Sequence, residues 1–268
     1  MLSSRKYRYL TISIDDGHPA DLRVAELLAR FGLTATFYIP AHNPEREVIM
    51  QSQVRQLAAN FEIGCHTMHH VPLTSLPESE ARSEIHDGKQ WTEDTISGPA
   101  TSFCYPRGKH SRRVARMVRA AGFLGARTVK LNILDAPADP YAWGVSTQAY
   151  SHSALVQFRH ALVETNLSGL LAYATTFRFA KDWRGHLLTA AEHVAEYGGI
   201  VHLFLHGWEV AERDEWRNLE IAVRELADRQ QLTCVTNGEL FAKWQSLRST
   251  TSDNEASLLA NVSRVTKP

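Results

Sequence analysis

The chain alternates short β-branched segments with segments of helical period, and several of the β-branched segments end directly in polar side chains. Residues 9–14 are apolar or β-branched, which is typical of a strand, and they stop at Asp15 and Asp16. Residues 20–31 place apolar side chains at helical spacing, and Gly32 follows as a helix stop. Strands that alternate with helices predict a largely parallel sheet with its functional edge at the strand carboxyl ends. We therefore predict an α/β barrel. An open doubly wound sheet is the alternative, disfavoured because no glycine-rich phosphate loop follows the first strand.

The same pattern predicts the remaining elements. The predicted strands are residues 34–39, 61–65, 101–105, 123–129, 200–205 and 232–235. The predicted helices are residues 46–59, 75–92, 111–121, 153–165, 187–197 and 211–229, with residues 130–151 as a long loop. A Ser or Thr followed three residues later by Glu is a capping box, and this spacing predicts helix starts at Ser75 and Thr236.

Composition narrows the class of protein further. Lys and Arg together number 29, and Asp and Glu together also number 29, so the formal net charge is zero. A nucleic-acid partner is therefore disfavoured. No run approaches the ~18 apolar residues of a membrane span, and the first residues lack a signal-type apolar region. The three cysteines are widely spaced without C-x-x-C, which favours reduced thiols. We expect a cytoplasmic protein with one domain over residues 1–248 and a flexible polar tail over residues 249–268; its oligomeric state is left open.

Chemistry-bearing side chains cluster at the predicted strand ends. A divalent ion that activates water needs about three nitrogen or oxygen ligands and an open position. Asp16, His66 and His70 can supply that set, and the i, i+4 spacing of the two histidines predicts a single helical turn that aims both at one ion. Asp15 is then placed as the general base, and His206 as the acid that protonates a leaving nitrogen.

These residues resemble the polysaccharide deacetylases of the NodB-homology type, carbohydrate esterase family 4. The first motif of that family corresponds to residues 13–17, the second, H-[S/T]-x-x-H, to residues 66–70, and the Leu-x-His motif to residues 203–206. The resemblance spans roughly residues 9–240 in the family's order. It implies a distorted (β/α) barrel with fewer than eight complete units, and a Zn²⁺ ion, or Co²⁺ or Ni²⁺ in its place.

The resemblance also implies roles for individual residues. It implies that Asp16, His66 and His70 hold the ion while Asp15 acts as base and His206 as acid. In the family an oxyanion is held by the metal and by the backbone N–H of the last residue of the R-x-P-[F/Y] motif. That residue corresponds here to Arg107.

The sequence departs from the family at two motifs. Cys104 stands where the third motif has Arg, and Arg107 stands where it has an aromatic residue. Arg107 can turn inward to pair with Asp15, or outward to hold a substrate phosphate or carboxylate. The fourth motif, which tunes the acid histidine, has no clear copy. Asp182 with Trp183 is a fragment of it and Asp135 has nearer spacing, so the partner of His206 is left unassigned.

Three further residues are candidates for substrate contact: Tyr105, Trp208 and His18. Trp208 is the favoured aromatic for stacking on a sugar, although core packing is as common for such a residue. His69 is read as structural, Cys65 and Cys104 as small buried thiols, and Glu209 as either a substrate contact or a helix start.

Three functions are compatible with these residues. The first is a metal-dependent hydrolase that removes an N-acetyl or related N-acyl group from an amino sugar or glycan precursor. The substrate would be a small molecule or an oligosaccharide. The second is a catalytically silent relative that binds a carbohydrate or protein partner, motivated by the altered third and absent fourth motifs. The third is a hydrolase of another amide or of phosphoesters that uses the same ion.

Overall fold

A parallel eight-stranded sheet forms the centre of the molecule. The computed structural model describes residues 7–150, 166–180 and 182–246. The strands are β1 (Arg8–Asp15), β2 (Thr36–Ile39), β3 (Glu62–Cys65), β4 (Ser102–Cys104), β5 (Gly125–Arg127), β6 (Thr147–Gln148), β7 (Gly199–His206) and β8 (Thr233–Cys234). Each of the predicted strands is present, in the predicted order.

Helices follow most of the strands. They are α1 (Asp21–Arg30), α2 (Gln51–Ala58), α3 (Glu78–Ile96), α4 (Arg112–Ala120), α5 (Leu167–Thr175), α6 (Trp183–Tyr197), α7 (Gly207–Glu212), α8 (Trp216–Ala227) and α9 (residues 237–246). The predicted loop over residues 130–151 contains the short strand β6. The predicted helix over residues 211–229 is two helices, α7 and α8, separated where Asp214 adopts a left-handed φ of 53°.

The sheet curls into an incompletely closed barrel with the strand order β5-β4-β3-β2-β1-β7-β6, and β8 pairs with the beginning of β1. Trp143 forms a parallel bridge to Arg127 of β5, and Thr147, four residues later, pairs with Leu203 of β7. One segment therefore contacts both sides of the gap. Because β6 and β8 have only two residues each, several units are incomplete, and the predicted distorted (β/α) barrel is confirmed.

Strand β1 shows why polar residues line the barrel interior. Its side chains alternate between two faces, as in any strand. Leu10, Ile12 and Ile14 are buried in the apolar cluster that the outer helices cover. Thr11 donates a hydrogen bond to Asn237, and Ser13 lies 2.8 Å from Nε2 of His202. Asp15 continues this second face, so the strand pattern brings a carboxylate to the end of a buried polar row.

Two capping boxes were predicted, and one is present. Thr236 and Glu239 exchange backbone-to-side-chain hydrogen bonds of 3.0 and 3.2 Å at the start of α9, which confirms that prediction. The box at Ser75 is wrong, because α3 begins at Glu78 after Pro77 and the Ser75 hydroxyl donates to the carbonyl of Pro72. The Ser75 hydroxyl is used in this local turn and therefore does not cap the helix.

Some predictions fall outside the described residues or remain untested. The helix over residues 153–165 and the tail over residues 249–268 lie outside the described residues. Across the described residues, no helix is both long and apolar enough to cross a membrane. The cytoplasmic location and the domain bounds stay predictions.

Candidate active site

The carboxyl ends of five strands meet around a cavity of about 260 Å³. Asp15 and His206 end β1 and β7, His66 follows β3, and Cys104 and Arg127 end β4 and β5. Parallel strands place their carboxyl ends at one rim, so residues distant in sequence meet there. The cavity is lined by Asp15, Asp16, Glu45, His66, His70, Arg107, Gly108, Val129, Leu131, Gln148, Phe204, His206 and Trp208.

The three predicted metal ligands converge. Oδ1 of Asp16 lies 3.1 Å from Nε2 of His70 and 3.7 Å from Nε2 of His66. All three side chains are buried, and their donor atoms lie within 4.8 Å of one another. Burial would raise the pKa of Asp16, but His66 and His70, together with His206, hold the pKa of this carboxyl well below its usual range.

The chemistry of this donor set fits a divalent transition metal. Nδ1 of His66 donates to the carbonyl of Cys104 at 2.9 Å, which leaves Nε2 as the free lone pair that faces Asp16. Among the described residues, the buried Oδ1 of Asp16 has no hydrogen bond of good geometry. Two imidazoles and a carboxylate oxygen that share one point without a proton donor are the ligand set of catalytic Zn²⁺ sites.

The backbone that carries the two histidines is not the helical turn that the spacing predicted. Residues 66–70 form a loop in which Thr67 and His70 adopt left-handed φ values of 67° and 54°. The Thr67 hydroxyl accepts a hydrogen bond from the His70 backbone N–H at 3.0 Å and holds the loop closed. The histidines meet because this loop turns back on itself. Exposed His69 points away and pairs with Glu84 at 2.7 Å.

Arg127 provides the cation that the third motif lacks. Its guanidinium hydrogen-bonds both carboxylate oxygens of Asp15 and lies 2.9 Å from Sγ of Cys104. The Cys104 thiol in turn donates to Asp15 at 3.4 Å. Burial opposes the charge on Arg127, but Asp15 and Cys104 raise the pKa of the guanidinium above its usual range. The small side chain at position 104 leaves room for an arginine from the neighbouring strand.

Arg107 does not reach Asp15. Its side chain is half exposed and forms an ion pair with Glu45 at the rim of the cavity. The turn that carries it gives Arg107 a left-handed φ of 55°. The inward alternative is therefore wrong in this structure, because Arg127 already occupies the position against Asp15.

His206 has a carboxylate partner three residues further along the chain. Its Nδ1 donates to Oε2 of Glu209 at 2.7 Å, and Gln148 donates to the same oxygen at 2.9 Å. Burial lowers the pKa of His206, but Glu209 and the charges of Asp16 and Asp15 raise it, and the net result is a raised pKa. Asp182, the fragment of the fourth motif, instead accepts a hydrogen bond from the N–H of Gly185 and caps helix α6.

The three candidate substrate contacts lie in different surroundings. Trp208 lines the cavity, and its indole N–H donates to Oδ2 of Asp16 at 2.9 Å. Tyr105 is fully buried, and its hydroxyl donates to the carbonyl of Tyr141 at 3.0 Å. His18 accepts a hydrogen bond from the Ala20 N–H at 3.1 Å. Over the described residues, the lining of the cavity includes neither Tyr105 nor His18.

Part of the chain matches a known protein family and one curated protein in sequence. Residues 3–126 match the model of the polysaccharide deacetylase family. The peptidoglycan-N-acetylglucosamine deacetylase of Bacillus cereus is 28% identical over 118 residues, which cover 43% of this chain and 54% of that protein. The chain therefore spans about half the length of this curated relative.

Solved structures match over most of the chain. A Mycobacterium smegmatis protein assigned to the polysaccharide deacetylases superposes with a TM-score of 0.60 at 14% identity, over 92% of this chain and 94% of that one. The Xyl-CE4 domain of a multidomain xylanase from the hindgut metagenome of Trinervitermes trinervoides gives a TM-score of 0.54 at 16% identity, over 90% and 92%. At these identities the likeness concerns the fold alone.

The fold and the rim residues define a class of protein: an incompletely closed parallel α/β barrel with an Asp-His-His donor set at its strand ends. Within that class, residues 3–126 match the model of the polysaccharide deacetylase family, and the chain is similar in sequence to one curated deacetylase and in fold to solved structures.

Proposed function

We propose that the protein is a metal-dependent hydrolase that removes an N-acetyl or related N-acyl group from an amino sugar or glycan precursor. One observation carries the proposal: donor atoms of Asp16, His66 and His70 converge within 4.8 Å of one another, and both Asp15 and His206 line the same cavity. A metal-ligand set flanked by a carboxylate and an imidazole can supply the activated water and the two proton transfers of amide hydrolysis.

The family supports the substrate class. The curated relative from Bacillus cereus is described as acting on N-acetylglucosamine of peptidoglycan. An N-acetylated sugar is therefore the first substrate to test, although the match covers only about half of that relative. A cavity of about 260 Å³ is small, so the acetylated end of one sugar is the part of the substrate we place in it.

Asp16, His66 and His70 would hold the ion, which we propose to be Zn²⁺ or, in its place, Co²⁺ or Ni²⁺. When bound, such an ion lowers the pKa of a water molecule and polarises a carbonyl. The hydrogen bond from His66 to the Cys104 carbonyl fixes the imidazole in the tautomer that binds through Nε2.

Asp15 and His206 would move the protons. Asp15, held by Arg127 on one side, accepts a proton from the attacking water. His206, whose pKa is raised by Glu209 and by the charges of Asp16 and Asp15, would deliver a proton to the leaving nitrogen. The two groups belong to the neighbouring strands β1 and β7, where they are paired in register, so they approach the reacting amide from a rigid frame.

The developing oxyanion would take the backbone N–H of Arg107 as its protein donor. Arg107 lies on the tight turn after β4, and this residue lines the cavity. One such donor is worth about 3 kcal/mol of transition-state stabilisation.

The catalytically silent alternative loses its main motive. It was suggested by the missing arginine of the third motif and by the unassigned partner of His206. Arg127 supplies a guanidinium to Asp15, and Glu209 supplies a carboxylate to His206. Both proposed proton-transfer side chains therefore have the charged partner that the altered motifs left open.

Acetate release from N-acetylchitooligosaccharides and from peptidoglycan fragments, measured on chelator-treated and zinc-restored protein, tests the proposal. We expect activity only after Zn²⁺ or Co²⁺ is restored. Activity that is indifferent to the chelator would overturn the metal-dependent mechanism. Zinc binding without turnover on any acetylated sugar would favour the silent relative or a hydrolase of another amide.

A further inference from the structure

The two oxygens of Asp16 have different partners. Oδ1 faces Nε2 of His66 and Nε2 of His70, whereas Oδ2 accepts a hydrogen bond of 2.9 Å from the indole N–H of Trp208. A carboxylate whose second oxygen is held by a donor presents one defined oxygen to an ion. The indole thereby sets which face of Asp16 is turned to the histidines.

Trp208 is itself held in place from the side. The guanidinium carbon of Arg46 lies 3.7 Å from the centre of the indole ring, within the range of a cation–π contact. Arg46 also forms an ion pair with Glu212, at the end of α7, the helix that carries Trp208. A chain of contacts therefore runs from Glu212 through Arg46 and Trp208 to Asp16.

This arrangement leaves little of the indole for a sugar. One face of Trp208 is covered by Arg46, and the ring of His206 lies 5.1 Å away, centre to centre, at a tilt of 33°. The N–H edge is occupied by Asp16. One face and the N–H edge of the ring are thus held by protein groups, which reduces the area open to a stacked sugar.

We propose that Trp208 is a positioning residue for the metal ligand Asp16, rather than the sugar-stacking residue that the sequence suggested. The inference rests on the proposed metal site. The indole N–H fixes the carboxylate so that Oδ1 points at the two histidines, and Arg46 restrains the indole.

The test compares two Trp→Phe variants of the full-length, metal-stripped chain. W208F keeps an aromatic ring under Arg46 but removes the N–H donor. W216F is the matched control, because Arg23 lies 4.0 Å from the centre of the Trp216 ring while Trp216 lines no part of the cavity over the described residues. Zinc affinity is measured by titration calorimetry, and the melting temperature of the metal-free protein is measured beside it.

We expect W208F to bind Zn²⁺ about 10- to 100-fold more weakly with an unchanged metal-free melting temperature, and W216F to bind it as the wild type does. Unchanged zinc affinity in W208F, or an equal loss in both variants, overturns the inference. Wild-type protein that binds no zinc overturns the proposed metal site as well, which separates the two failures.

A second variant covers the case in which W208F does not fold. R46M removes the guanidinium from the indole face and leaves the N–H donor in place. We expect a two- to fivefold loss of zinc affinity, in keeping with one cation–π contact. If W208F is unfolded and R46M binds zinc normally, the inference falls.

Discussion

Arg127 and Asp15 form a buried ion pair across the barrel interior, although their strands β5 and β1 are separated by three others in the sheet. Both side chains are almost fully shielded from water. Breaking a buried pair by removing one partner is strongly destabilising because the other charge stays behind without compensation. The pair therefore ties the closure of the barrel to the placement of the proposed base.

Replacing Arg127 by Met tests this relationship. We expect R127M to lose about 3 kcal/mol of unfolding free energy, measured by urea denaturation, because Asp15 is left buried and unpaired. Deacetylation should fall by about 100-fold, since the proposed base is no longer held in position.

The control for Arg127 is a solvent-exposed pair of the same chemistry. Arg119 and Asp139 lie 3.2 Å apart with more than half of each side chain exposed. We expect R119M to change the unfolding free energy by less than about 1 kcal/mol and to leave turnover unchanged. Equal losses in the two variants would show that the buried pair has no special role.

The sequence offered a cation for Asp15 only as one alternative, an inward Arg107, and gave Arg127 no role. In the resembled family the arginine stands at the position of Cys104, on a different strand. The sequence does contain a sign of the role of Arg127, because Arg127 is the one charged residue of the predicted strand over residues 123–129. Arginine is rarely buried unless it is paired, so a lone one in a buried strand marks an unseen anion.

Glu209 sets the protonation of His206 in the proposed mechanism. Its carboxylate contributes to the raised pKa of His206, so E209Q should lower that pKa. Because the protonated imidazole is the active form, the alkaline limb of the kcat/KM profile should move to lower pH. We expect kcat to fall by about tenfold, less than the ~10²–10⁴ of losing a general acid.

The pH profile of E220Q is the comparison for E209Q. Glu220 pairs with Arg30 on the outer surface, where both side chains are at least half exposed. Its profile should match the wild type. An alkaline limb in E209Q that stays in place, or that moves to higher pH, contradicts the role of Glu209.

The adjacent histidines His69 and His70 give a matched pair for the metal site. His70 is buried against Asp16, whereas His69 is half exposed and pairs with Glu84. We expect H70A to weaken zinc binding by more than the ~100-fold that outer-sphere losses cost, and to abolish turnover. H69A should keep both zinc binding and turnover. Zinc content after dialysis, measured by atomic absorption, decides the matter, and a full complement of zinc in H70A would exclude His70 as a ligand.

The spacing of His66 and His70 predicted that both imidazoles face one ion, but it did not predict the conformation of the loop that joins them. A 66–70 spacing of four fits a helical turn, and single-sequence patterns carry no sign of the left-handed φ values at Thr67 and His70. Those values are imposed by tertiary contacts, such as the backbone hydrogen bond from Met68 to the carbonyl of Glu84 in helix α3. Strand ends are predictable because apolar runs stop visibly, whereas loop backbones depend on neighbours distant in sequence.

The side chain of Arg107 can be removed without removing its backbone N–H. The proposed oxyanion donor is the backbone N–H, which R107A retains, and the ion pair with Glu45 is exposed and therefore worth about 0–1 kcal/mol. We expect R107A to change the unfolding free energy by less than about 1 kcal/mol and to keep kcat within about threefold on an uncharged N-acetylchitooligosaccharide. The comparison of R107A with the wild type uses kcat and KM, measured by steady-state kinetics on that substrate and on a phosphorylated N-acetylamino sugar. A KM that rises only for the phosphorylated sugar would show that the outward guanidinium binds a substrate anion. A large loss of kcat on the uncharged substrate would instead give the side chain a part in catalysis that its position at the rim does not explain.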